Sequence, residues 1–213
     1  MKRLTLLILC LTLLLPGCGQ KKQAPTTGLW QGPLDLTVQV YDALPQVPLQ
    51  EFQNCFMPEN FRVYVLLSLT ESGTYTLSLD TASAQQQIRR LLDDGKEKVY
   101  RIVEDAIKQQ GLDMTVEEAL KRAGSSMGAI HSRLETVLSE GLTEALEKAV
   151  EKAGRYQISE GKLYLSDSLT VQPATDSYEL FTLQGDVLTI TEHQGNNPLL
   201  PKAAYPITFN RFQ

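Results

Sequence analysis

Histidine is scarce in this chain of 213 residues: there are two, His131 and His193, alongside three cysteines, Cys10, Cys18 and Cys55. Neither histidine stands at a metal-ligand repeat or beside a nucleophile, and so few ligands cannot build a zinc site or a disulfide framework. A Walker loop and a dinucleotide-binding glycine fingerprint are also missing. The carboxylate pairs Asp93-Asp94 and Glu117-Glu118 fall in helix-patterned stretches where solvation accounts for them. The expectation is therefore a non-enzymatic protein with no catalytic residue, no metal and no cofactor. Long apolar runs are lacking too. The longest, Leu4 to Leu15, has about a dozen residues where a bilayer core needs about 20. Basic residues form no stripe and the net charge is -5, a balance that repels phosphate backbones and excludes nucleic acid as a partner.

What is there begins with a leader. Lys2 and Arg3 form a basic start, Leu4 to Leu15 an apolar core, and Pro16-Gly17 a break, so residues 1–17 carry the pattern of an export signal. Leu15-Pro16-Gly17-Cys18 resembles the lipobox of bacterial lipoproteins, with Pro16 where a small or β-branched residue is usual. The resemblance implies that Cys18 is acylated and becomes the new N-terminus, tethering the chain to a membrane of the bacterial cell envelope, at the cell surface or the periplasmic face. Removing the leader takes two positive charges with it and leaves a more acidic protein. It also leaves Cys55 without an intramolecular partner, as a small buried hydrophobe. Residues 18–27 then read as the lipidated cysteine and a polar tether, in which Lys21-Lys22 favours anionic headgroups.

The folded part is expected over 28–213. Leu34, Leu36, Val38 and Val40 alternate with Asp35, Thr37, Gln39 and Tyr41, which predicts a strand with one buried face. Asp42 to Asn60, with Pro45, Pro48 and Pro58, predicts a long loop over one end of the fold. Phe61 to Thr70 and Thr74 to Asp80 resume the alternation around Glu71-Ser72-Gly73, a hairpin.

The pattern changes over 82–154. That stretch holds no proline, a single aromatic residue, Tyr100, and 11 of the chain's 20 Lys and Arg. Ile88, Leu92, Gly95, Val99, Ile102 and Ala106 recur at steps of four and three, predicting an amphipathic helix of up to about eight turns, with an interruption allowed at Asp93-Asp94-Gly95. Thr115 to Glu118 is a capping box opening a short helix. Ser125 or Ser126 can cap a last long helix with Leu134, Leu138, Leu142, Leu146 and Val150 inward, stopped by Gly154. Together these form a helical hairpin inserted between the third and fourth strands.

After Gly154 the β pattern returns. Glu160-Gly161-Lys162 and Gln184-Gly185-Asp186 are turns between strands, His193 to Ala204 is a loop, and Tyr205 to Phe212 a closing strand. The fold class is thus β-rich α+β, an antiparallel meander of eight strands that closes into a barrel or splits into a sandwich.

Gly28-Leu29-Trp30 resembles the G-x-W signature of lipocalins and other calycins, and the strand starts Gly73-Thr-Tyr-Thr-Leu77 and Gly161-Lys-Leu-Tyr-Leu165 resemble lipocalin-like domains of bacterial lipoproteins. The resemblance implies a lipocalin-like barrel in which Trp30 packs at the closed end against Arg211, a structural pair. It further implies a barrel holding a small apolar or amphipathic ligand, whose contact residues the sequence does not name. The alternative is an envelope adaptor or structural lipoprotein that binds a protein partner through the helical insertion.

Overall fold

The computed structural model describes residues 25–46 and 51–212. Cys18 and the leader lie outside the described residues. The elements run β1 (Gly28–Asp35), α1 (Thr37–Ala43), β2 (Arg62–Leu69), β3 (Thr74–Leu79), α2 (Thr81–Gln109), α3 (Val116–Arg122), α4 (Met127–Val150), β4 (Lys152–Ser159), β5 (Lys162–Ser166), β6 (Tyr178–Gln184), β7 (Val187–Gln194) and β8 (Ile207–Arg211). All eight strands pair antiparallel with their sequence neighbours, and β8 returns to β1 through Trp30 opposite Arg211, closing a barrel. The helical insertion lies between β3 and β4, as its composition requires.

Meander connectivity sorts the connections by end. The tight turns at Glu71-Ser72-Gly73, Glu160-Gly161 and Gly185-Asp186 all fall at one end, beside the start of β1 and the end of β8. We call this the hairpin end. Every long connection falls at the other end: α1 with the segment before β2, the three helices α2 to α4, the loop 167–177 and the loop 195–206. This second end is the mouth.

Local signals account for the helices. The Asp80 side chain accepts from Ser83 N–H and caps α2, Thr115 and Glu118 form the capping box of α3, and Ser126 caps α4. Leu134, Leu138, Leu142, Leu146 and Val150 are buried as their spacing predicts. So are Ile88, Leu92, Gly95 and Val99 on α2, while Ala106 is exposed. The two long helices pack on each other, with α2 also against β2 and α4 against β3. Helices and barrel share one apolar core.

Three sequence expectations are corrected, and one left open, at Gly95, is decided. The strand drawn through Val40 ends at Asp35, whose carboxylate accepts from the Thr37 N–H at 3.0 Å and the Thr37 hydroxyl at 2.6 Å, turning the chain into α1. Leu36 and Val40 satisfy the strand period and the helix period equally well. Val38 does not, and it is 63% exposed. The stretch after α1 is not a plain loop: one-turn 3₁₀ segments at Leu44–Gln46 and Gln53–Phe56 bury Leu44, Cys55 and Phe56. Helix α2 runs unbroken through Gly95, where the Phe56 ring packs so closely on the backbone that a Cβ would lie 2.6 Å from it. Finally, α4 stops at Val150 rather than at Gly154, because β4 begins at Lys152 to pair with Leu77 of β3.

Candidate functional site

At the hairpin end the Trp30 ring is fully buried, and the Arg211 guanidinium stacks on it with the central carbon 4.2 Å from the ring centroid. Both side chains also hold the segment before β1. The Trp30 indole N–H donates to Thr26 O at 2.9 Å, and Arg211 donates to Thr27 O at 2.9 Å and to Pro25 O at 2.7 Å. Its Nε donates to Asp186 at 2.8 Å, tying the clamp to the β6–β7 turn.

Between the ends the barrel is packed by its own side chains. Trp30, Val65, Leu67, Ile190 and Phe209 have no accessible surface. A void able to hold a water would leave accessible surface on its walls, so these walls touch other side chains instead. An eight-stranded barrel is just wide enough for this.

Open space is found at the mouth. A cleft of about 440 Å³ lies between α2 and the segment leading into β2. Cys55, Met57, Pro58, Phe61 and Leu91 supply its apolar side. Gln87, Arg90, Asp94 and Lys98, on successive turns of α2, supply its polar side. Arg90 and Lys98 are exposed, and Met57 is 38% exposed. The Tyr41 hydroxyl donates to Pro58 O at 2.5 Å and fixes the segment at the cleft edge. Burial pushes the Cys55 thiol above its ordinary pKa, with the Lys98 charge opposing, so it sits there as a neutral thiol rather than as a nucleophile.

The mouth also holds Glu179 on β6, the one charged residue buried among the core side chains of the described residues. Its carboxylate accepts from Leu199 N–H at 2.6 Å and pairs with His193 Nδ1 at 3.0 Å. The Tyr205 hydroxyl comes close to the same carboxylate while accepting from Leu200 N–H at 3.1 Å. The group therefore staples the 195–206 loop, with its buried Leu199 and Leu200, over the barrel. Beside it Asp167 accepts from Asn197 at 2.8 Å and from Tyr75 at 3.4 Å. Glu179 Oε2 and His193 Nε2 are buried without a partner among the described residues.

Burial raises the Glu179 pKa above its ordinary 4.5, while its donors and His193 pull the other way. The sign of the pH dependence follows. The folded state keeps this proton at a pH where the unfolded chain has lost it, so the stabilisation is complete below about 4.5 and declines as pH rises through the raised value. Each unit of elevation corresponds to about 1.4 kcal/mol. Glu179→Gln, which imitates the protonated form, is expected to flatten that part of the profile. Urea unfolding of both proteins between pH 4.5 and 7.5 checks this, and parallel profiles would refute it.

Sequence reasoning missed Glu179 and His193 as a pair for different reasons. Glu179 has the same strand parity as Phe181 and Leu183, and a carboxylate at core parity was a usable signal. His193 faces inward only because of an irregularity: Phe181 pairs with Ile190 but Leu180 pairs with Glu192, so an extra residue reverses the alternation of β7. His131, on α4, is half-buried, and its Nε2 has no partner among the described residues. Comparison with protein-family models, with curated proteins and with solved structures gives no match for this chain.

Proposed function

We propose that the protein is a lipid-anchored, non-enzymatic binding protein of the bacterial envelope that takes a small amphipathic ligand at the mouth of its barrel. The observation that carries this is the cleft beside α2, whose apolar side faces a row of polar and charged side chains in which Arg90 and Lys98 flank Asp94, with Glu59 also on the wall. An apolar tail lies against Met57, Phe61 and Leu91, and an anionic head lies toward Arg90 and Lys98. The packed barrel walls support a site outside the lumen. The anchor is Cys18, inferred from the lipobox resemblance.

Isothermal titration with dodecanoate, below its micelle concentration, tests the site. One saturable site is expected, weakened at least about tenfold by the double charge reversal Arg90→Glu with Lys98→Glu, equivalent to about 1.4 kcal/mol. Gln87→Trp, which fills the cleft, is expected to abolish it. Equal binding by all variants, or none by the natural protein, refutes the reading.

Exposed apolar side chains at the same end favour a protein partner as the second reading. Val38 and Tyr41 on α1, and Leu169 and Val171 on the 167–177 loop, are 40–63% exposed. Within 82–154 the exposed large hydrophobic residue is Leu112 alone, so a partner would meet α1 and the loop in preference to the long helices. Crosslinking from Leu169 in cells separates the two, since a discrete protein adduct supports the second.

A further inference from the structure

We infer that the hairpin end of the barrel is a lipid-contact face, on which the protein rests against the membrane that anchors it. The inference rests on the lipid anchor at Cys18. It starts from the clamp: Trp30 and Arg211 take the three carbonyls of Pro25, Thr26 and Thr27, so the tether leaves the barrel at a fixed place, the rim of β1 and β8. Gly28 belongs to this device. Its φ is +140°, and a Cβ there would lie 2.4 Å from the Arg211 guanidinium.

Length decides which end can reach the bilayer. From Cys18 to Pro25 the chain spans at most about 25 Å when fully extended. An eight-residue strand is itself about 26 Å long, and the helices lie beyond its far end. The mouth could meet the membrane only with the tether drawn straight back along the barrel wall. The hairpin end meets it without constraint.

The chemistry of that end fits a bilayer interface. Val187 is 38% exposed on the outer face of β7 and Phe212 is 45% exposed just past the end of β8, and the Phe212 N–H donates to the carbonyl of Leu29 beside it on β1. Ile158 and Leu183, one position before the ends of β4 and β6, are half-buried at the same end and pack against the core, leaving only their outer edges to this face. The turns carry Glu71, Glu160 and Asp186, with Asp186 engaged by Arg211, so this contact is apolar rather than electrostatic. Leu29 and Phe212 lie beside the tether exit, where Trp30 and Arg211 hold it.

The test uses the full chain, produced with its lipid and reconstituted in vesicles of phosphatidylethanolamine and phosphatidylglycerol at a ratio of about 7:3. Mass spectrometry of the N-terminal peptide first establishes acylation of Cys18. Nitroxide labels at Val187→Cys and Phe212→Cys are expected to be at least about fivefold less accessible to an aqueous nickel relaxant than in detergent-free, unlipidated Cys18→Ser protein. Labels at Val38→Cys and Leu169→Cys are expected to be unchanged. Acylated protein whose 187 and 212 labels stay fully wet overturns the inference and leaves the anchor standing. A Cys18 without acyl chains overturns both.

Discussion

Truncating Trp30 to alanine is expected to lower the free energy of unfolding by about 3–5 kcal/mol, the range for removing a fully buried tryptophan. The side chain has no accessible surface and fills the hairpin end of the barrel. Its removal also leaves Arg211 without the ring on which it stacks, and leaves Thr26 O without its donor. Trp30→Phe separates the contributions: it keeps most of the packing, loses the indole N–H, and should cost clearly less. Urea unfolding measures all three proteins. A loss below about 1 kcal/mol for Trp30→Ala would show that the closed end is not held by this pair.

Gly154→Ala is expected to do comparable or greater damage by the opposite route. A Cβ at this position would lie 1.7 Å from the Ser166 carbonyl oxygen and 3.1 Å from the Tyr75 ring. The ring could shift by a few tenths of an ångström, but the carbonyl belongs to β5 and moves only if β4 and β5 part. Overpacking of a core costs about 1–3 kcal/mol when side chains can adjust. Here they cannot, so the cost is expected at or above the top of that range, with much of the chain insoluble. Thermal unfolding of whatever soluble protein remains gives the measurement. A variant with an unchanged midpoint would mean that the strands separate there without penalty. A useful contrast is Gly185→Ala, in the β6–β7 turn at a φ of 60°, where no atom lies within 4 Å and only backbone strain opposes the change.

Gly154 also shows how far residue patterns reach. As a punctuation mark it sits where a helix could end, and its sequence context contains nothing to say otherwise. Its real constraint is the approach of a strand twelve residues later, which is a property of how β3, β4 and β5 stack around the barrel. Val38 teaches the same lesson from the other side: Leu34, Leu36, Val38 and Val40 alternate faultlessly, yet a carboxylate at Asp35 that captures Thr37 turns the chain into a helix. Two residues of the four fit both periods, so alternation over so short a stretch could not decide between them. Of the candidate site, the Trp30–Arg211 pair was legible through a motif at one chain end and an arginine at the other. The cleft was not, because its walls come from segments that share no pattern, one of them interrupted by prolines. The Glu179 staple depended on an irregular pairing between β6 and β7 that alternation cannot express.

By itself, then, the sequence determined the number of strands, their order, the tight turns and the two long helices, because each of these follows from periodicity and turn chemistry within some ten to thirty residues. Its resemblance to a lipobox supplied the expectation of where the protein is held. Tertiary structure alone decided that the sheet closes, that the barrel walls pack on themselves, that a cleft opens at the mouth beside α2, and that a glutamate is buried under a loop. The reason is common to all four: each depends on residues far apart in the chain meeting at distances set by strand stagger and helix packing, and no local pattern records such distances.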